Sequence, residues 1–314
     1  MDVHAFIFPG QGSQAVGMGR DLAAAFAAAR EVFQEVDEVL KQRLSKLMFE
    51  GPAEDLTLTT NAQPALMAVS IAVLRVLEAE GGFTLADRAA VVAGHSLGEY
   101  SALAAAGSFS LAAAAVLLRQ RGEAMQRAVA PGIGAMAALL GVSFDDARAI
   151  CDDAAEGDVV QPANDNGGGQ VVISGHKAAV ERAIDIAKTR GFRRAMLLPV
   201  SAPFHCTLMQ PAADAMRAAL EQVDLSPPSV PVVANVSAAR ETDPMVLRDL
   251  LVRQVVGTVR WRESVEAMTS LGVTSFVELG AGKVLSGLVR RIAPDATAHA
   301  GGNPAEIEAL LKLF

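Results

Sequence analysis

The amino-acid sequence predicts an α/β protein: a large domain with a mostly parallel sheet, discontinuous along the chain, into which a small βαββαβ domain is inserted. Three observations predict it. In the first and last thirds of the chain, short apolar runs bounded by turn residues alternate with long stretches of 3.6-residue periodicity, the pattern of a sheet covered by helices on both faces. The middle of the chain follows another order: strand, helix, two strands, helix, strand. Pro131-Gly132 and Pro199 punctuate the two ends of that segment, as turn-rich junctions do where one domain enters another.

Residues 5–8 are apolar and stop at Pro9-Gly10, so they form the first strand. No basic region precedes them and no small-residue cleavage site follows, which argues against a signal peptide. Helices are expected over 22–44 and 62–79, a second strand over 90–94, and helices over 98–105 and 111–128. The most apolar long window, 102–118, is alanine-rich and broken by Gly107, Ser108 and Ser110, so no membrane span is expected there. The inserted segment reads as strand 134–141, helix 144–155, strands 158–163 and 170–174, helix 177–190 and strand 195–199, a ferredoxin-like plan. Strands 230–234 and 275–278 return to the large sheet. The expected division is 1–130 with 200–314 for the large domain and 131–199 for the small one. Function is then expected at the carboxyl ends of the large domain's strands.

Composition narrows the partners. With 314 residues, 51% of them hydrophobic, the chain can bury a large core, and disorder is excluded. A net charge of −8 argues against nucleic acid, whose phosphates require a basic surface. Cys151 and Cys206 lack a CxxC spacing, so neither a disulfide framework nor a thiolate metal site is expected, and the chain reads as cytoplasmic.

Gly94-His95-Ser96-Leu97-Gly98 follows an apolar strand and precedes a helix, the context of a nucleophile elbow, which makes the large domain α/β-hydrolase-like. Glycines on either side of the serine let strand and helix approach without a Cβ clash, and the helix N-terminus faces any oxyanion formed at the serine. A plain glycine-rich turn is the alternative. A serine needs a base, and of His4, His95, His176, His205 and His299 the best placed is His205, in a proline-constrained loop beside the domain junction. Cys206 competes as nucleophile, but no elbow surrounds it. Gly10-x-Gly12-x-x-Ala15 loosely fits a dinucleotide fingerprint without the second strand and acid it needs, and Gly280-Ala281-Gly282-Lys283 lacks the leading glycine and trailing hydroxyl of a phosphate loop.

Taken together, Phe8 to Gln14, Gly94 to Tyr100, Arg119-Gln120-Arg121-Gly122, Gly134 to Ala137, Asn164 to Gly175, Ser201 to His205, the stretch around Gln254 and Glu278-Leu279-Gly280 resemble the malonyl-CoA:acyl carrier protein transacylases of type II fatty acid synthesis, nearly end to end. The resemblance implies Ser96 as nucleophile, His205 as base, and Gln254 as the residue whose backbone carbonyl orients that base in place of an acid. It implies Gln11 and the Leu97 N–H as oxyanion hole and Arg121 as holder of the malonyl carboxylate. Asn164 and Asn166 are expected in a loop near the pantetheine arm, and Phe204 resembles a bulky residue that crowds an α-methyl group. The implied reaction is ping-pong transfer of malonyl from malonyl-CoA, a substrate, to holo acyl carrier protein, with no cofactor, metal, nucleic acid or membrane. For an acidic carrier the basic candidates are Lys188, Arg190, Arg193 and Arg194, with Arg290-Arg291 as a second patch. The rivals are a serine hydrolase or thioesterase, whose triad order would assign His299, a trans-acting polyketide synthase acyltransferase, and a docking module without chemistry.

Overall fold

Ten strands form two sheets among residues 2–200 and 202–314, which the computed structural model describes. In chain order they are β1 (His4–Phe8), β2 (Ala89–Gly94), β3 (Gly134–Leu140), β4 (Val160–Asp165), β5 (Gln170–His176), β6 (Arg194–Leu197), β7 (Val232–Val233), β8 (Arg240–Glu241), β9 (Ser275–Leu279) and β10 (Thr297–Gly301). The larger sheet runs β10-β9-β1-β2-β7-β8 and is parallel except for the β7–β8 pair at its edge.

Both faces of this sheet are covered, and the alternation of side chains along β1 shows how. Ala5 and Ile7 enter one buried cluster with Trp261 and Phe276, whereas Phe6 and Phe8 enter another with Leu66 and Val69. Each fully buried Phe or Ile contributes about 2 kcal/mol relative to an exposed one. Helix Thr59–Gly81 is long and apolar enough to cross a membrane by length and composition, but it lies in this core with most of its side chains buried. The window 102–118 is divided between helices Leu97–Ala105 and Leu111–Ala128.

The smaller sheet is antiparallel in the order β4-β5-β3-β6, with helices Phe144–Ala155 and Lys177–Thr189 between its strands in the chain. Ala137, Leu139, Val171 and Ile173 pack with Ile150 and Ile184 of those helices, while Met136 and Val172 face the main cluster. The small sheet is thus wedged between its own helices and the main body. Backbone bonds fasten it there: Asp165 N–H donates to the Val259 carbonyl at 2.9 Å, and Val259 N–H to the Ala163 carbonyl at 2.9 Å.

Several boundaries differ from expectation for local reasons. The single helix expected over 22–44 is two helices, Arg20–Ala25 and Ala27–Leu40, because Phe26 is extended and Lys41 turns left-handed at φ 50°. The strand expected over 230–234 shortens to β7, since Pro231 has no N–H to donate, although its carbonyl accepts from Val92 N–H at 3.0 Å. β10 forms in a stretch for which the sequence predicts no strand, carrying His299 at the sheet's edge. Asn164 lies in β4 rather than in a loop, because it pairs with Val172 of β5 and bridges to Val259.

Candidate active site

β2 delivers its carboxyl end to a turn that only glycine-flanked chain can make. A Cβ on Gly94 would sit 1.9 Å from the Gly98 carbonyl oxygen, and one on Gly98 would sit 2.3 Å from that of Phe8. Between them Ser96 caps helix Leu97–Ala105 at φ 55°, ψ −110°, a conformation that non-glycine residues hold only when their surroundings over-determine it. Its surroundings do so: Ser96 N–H donates to Asn235 Oδ1 at 2.8 Å, and its carbonyl accepts from Gln254 Nε2 at 2.9 Å.

His205 Nε2 lies 2.7 Å from Ser96 Oγ, and its Nδ1 lies 2.8 Å from the Gln254 carbonyl oxygen. A carbonyl can only accept, so Nδ1 carries the proton and Nε2 is left to accept from the serine. The carbonyl is free because Gln254 ends helix Pro244–Gln254, and the last carbonyls of a helix have no partner within it. His205 is 4% exposed, and burial, aided by the positive charge of Arg121, pushes its pKa down to about 3. The imidazole is therefore neutral at neutral pH, the form a general base requires.

Arg121 projects from helix Leu111–Ala128 into the same space and is 1% exposed. Its Nη1 donates to Gln63 Oε1 at 2.9 Å, and its Nη2 to Gln254 Oε1 at 2.8 Å and Ser96 Oγ at 3.2 Å. Burial lowers its pKa, yet a guanidinium begins so high that it keeps its charge. Among the described residues no carboxylate forms an ion pair with it, so the site holds a desolvated cation supported by neutral groups and aimed at the serine.

These groups open on a cavity of about 340 Å³ whose walls include Gln11, Leu97, Met125, Met136, Asn164 and Phe204. Gln11 stands at the exposed rim, its Nε2 donating to Thr59 Oγ1 at 3.3 Å. A larger hollow of about 560 Å³ between Asp145, Gly168 and Arg262 holds no nucleophile and base pair, so size alone does not locate the chemistry. Among the described residues no three His, Cys, Asp or Glu side chains converge to hold a metal ion.

Residues 5–300 match the acyl transferase domain family. The chain belongs to that family. The acyltransferase chain is 48% identical over 313 residues, all of both chains, to the malonyl CoA-acyl carrier protein transacylase of Escherichia coli K12. It superposes on the acyl-carrier-protein S-malonyltransferase of Bartonella henselae with a TM-score of 0.97 at 56% identity, covering 99% of each. It is also similar, at a TM-score of 0.96 and 43% identity over 99% of this chain and 100% of the other, to a malonyl transacylase solved in complex with its holo type II polyketide acyl carrier protein.

Within this acyltransferase the residues singled out from the sequence separate into groups. Ser96, His205, Gln254 and Arg121 meet in one hydrogen-bonded cluster, and Gln11, Leu97, Asn164 and Phe204 line its cavity. Asn166 stands behind the elbow, with Oδ1 2.9 Å from His95 Nε2. Cys206 is buried, its thiol donating to the Pro203 carbonyl at 3.2 Å, and burial raises its pKa away from the reactive thiolate. Lys188, Arg190, Arg193 and Arg194 are exposed along the small sheet's β6 edge; Lys188 is 3.6 Å from Asp185 and Arg190 pairs with Asp153. Arg290 bonds the Ala298 carbonyl, and Arg291 packs against Gly168.

Sequence reasoning gave no role to Gln63, Glu99 or Asn235, all buried in the cluster. Asn235 carried a signal, a polar residue just past an apolar run at the carboxyl side of a sheet strand. Glu99 and Gln63 were legible only as polar residues among apolar neighbours on helices, which does not say what they touch.

Proposed function

We propose that this chain transfers malonyl from malonyl-CoA to the phosphopantetheine thiol of acyl carrier protein through an ester on Ser96. The observation that carries this reading is Arg121, a buried guanidinium without a carboxylate partner among the described residues, 3.2 Å from the serine that would bear the acyl group. A malonyl carboxylate would supply the missing charge through two parallel N–H donors, a fit that acetyl cannot offer. The names carried by the Escherichia coli and Bartonella relatives support the same reading.

Neutral His205 takes the Ser96 proton as Oγ attacks the thioester carbonyl, and the oxyanion is met by Gln11 and the Leu97 N–H, free as the first amide of its helix. Collapse breaks the carbon–sulfur bond, the CoA thiolate takes the proton from His205, and malonyl remains on Ser96. The carrier's thiol then gives its proton to His205 and attacks the ester, and Ser96 recovers that proton as it leaves. Gln254 holds the imidazole by its carbonyl, so no catalytic acid is needed. No cofactor takes part in these steps. Asn164, beside the cavity, and Asn166, through His95, are assigned to the pantetheine arm, and Phe204, next to His205, crowds an α-methyl on the acyl group.

The division into 1–130 with 200–314 and 131–199 is supported by the separate core of the small sheet, whose strand order is that of a ferredoxin-like unit; the elbow supports an α/β-hydrolase-like main body. Carrier docking is assigned to the exposed Lys188, Arg190, Arg193 and Arg194 edge, and the reaction to the cytoplasm. Intact-protein mass spectrometry after malonyl-CoA, and again after holo carrier, tests the reading. A malonyl adduct that Ser96→Ala abolishes and that moves to the carrier is expected. An adduct lost to free malonate whether or not carrier is present would make the chain a hydrolase, and no adduct with malonyl-, acetyl- or methylmalonyl-CoA would make it a docking module.

A further inference from the structure

Glu99, fully buried in the first turn of the helix after the nucleophile, has no part in the steps above, yet its Oε2 accepts two N–H groups that matter to them. One is the Asn235 backbone N–H at 3.0 Å, the other Gln254 Nε2 at 2.8 Å. Asn235 in turn holds the Ser96 N–H and bonds the Gly94 carbonyl at 2.7 Å. The Gln254 amide is more fully committed. Its two Nε2 protons go chiefly to Ser96 O and Glu99 Oε2, which leaves Oε1 facing the Arg121 guanidinium. Without the Glu99 acceptor, a buried Nε2 proton keeps only the longer contact to Asn235 Oδ1 at 3.3 Å, and the amide has reason to move or turn. Arg121 would then keep Gln63 as its remaining amide holder. Glu99 is also the carboxylate nearest in the network to the Arg121 charge, one amide away.

We propose that Glu99 is a positioning residue for acyl-group selection: through Gln254 it aims Arg121 at the carboxylate of a malonyl group on Ser96, and through Asn235 it supports the nucleophile turn. The inference rests on the reading of Arg121 given under Proposed function. Asn235 retains its bonds to Gly94 and Ser96 when Glu99 is lost, whereas Gln254 loses the shortest of its three Nε2 hydrogen bonds, so the effect on Arg121 should exceed the effect on the serine.

Single-turnover acylation by malonyl-CoA and by acetyl-CoA, followed by intact mass, separates these arms in the full chain. Glu99→Met should slow malonyl acylation about 100-fold and acetyl acylation about 10-fold, the cost of one or two unsatisfied buried donors. Glu99→Gln, whose side-chain oxygen can accept both N–H groups, should restore most of the malonyl preference. If Glu99→Met does not fold, Glu99→Asp, with the acceptor withdrawn by one methylene, should show the same ordering of losses. Equal losses for the two acyl groups, or Glu99→Gln as unselective as Glu99→Met, would overturn the proposal. Arg121→Ala is the control: if it lowers both acyl groups equally, the Arg121 reading fails and this one with it, whereas a selective Arg121→Ala with unselective Glu99 variants overturns the Glu99 role alone.

Discussion

Arg121 and Arg190 are the same side chain in opposite circumstances. Arg121 is buried, bonded to two glutamines and a serine, and free of any carboxylate contact among the described residues. Arg190 is exposed at the end of helix Lys177–Thr189 and is already paired with Asp153. A desolvated cation without a counter-charge is costly, so its persistence points to a ligand that completes it, whereas a solvated surface pair costs and contributes little. The difference teaches that burial and partners, not residue type, separate a dry, uncompensated cation from a surface charge.

The sharpest way to break the comparison is to remove each arginine's charge. Arg121→Ala should slow malonyl acylation of Ser96 about 100-fold while leaving acetyl acylation within a few fold, the loss of charge-assisted hydrogen bonds in a dry site. Equal loss for the two groups, read by single-turnover mass spectrometry, would return Arg121 to a structural role. A smaller effect is expected at the surface. Reversing Arg190 and Arg193 to Glu should raise the KM for carrier protein about 10-fold, more at low salt than at high, and leave the KM for malonyl-CoA unchanged. An unaltered carrier KM would place docking elsewhere.

Two pH measurements sharpen the same contrast between dry and solvated groups. With its pKa near 3, His205 stays neutral through the ordinary imidazole range, so the acylation rate should show no acid limb centred near 6.5. A limb there would mean that the imidazole is solvated. In stability the sign follows from the same shift: the unfolded chain binds the His205 proton first, so this group's contribution is present above about 6.5 and is lost as pH falls toward about 3. Glu99 acts in the opposite sense, because burial raises its pKa to about 7; its contribution is present below 4.5 and is lost as pH rises through about 7. Denaturant melts of Glu99→Gln should therefore gain at about pH 8 relative to about pH 5 when set against the parent chain, and an unchanged difference would show Glu99 to be ionised without penalty.

Most of the strand and helix plan was legible, and the exceptions have physical causes. β1, β2 and β9 announce themselves as apolar runs because they are buried on both faces. β10, half-buried at an edge and carrying His299, has no such run, and its pairing with β9 rests on tertiary contact. The break at Phe26 and Lys41 lay within one continuous periodic stretch, since an extended residue between two helices need not disturb the spacing of apolar positions. In the site, Ser96 was legible from its glycines, but Glu99 has no local pattern and Asn235 only its place past an apolar run, because each acts on residues more than a hundred positions away.

By itself, the sequence determined what short-range sterics and periodicity control: the elbow that places Ser96, most of the strands and helices along the chain, and the apolar core. Tertiary structure decided that His205 meets Ser96 across 109 residues, that Arg121 is left dry with no carboxylate partner among the described residues, and that the Gln254 side chain touches Ser96, Arg121 and Glu99 while its backbone carbonyl holds His205. The physical reason is range. A glycine's missing Cβ acts on the turn that contains it, whereas burial and hydrogen-bond partners are properties of distant segments packed together.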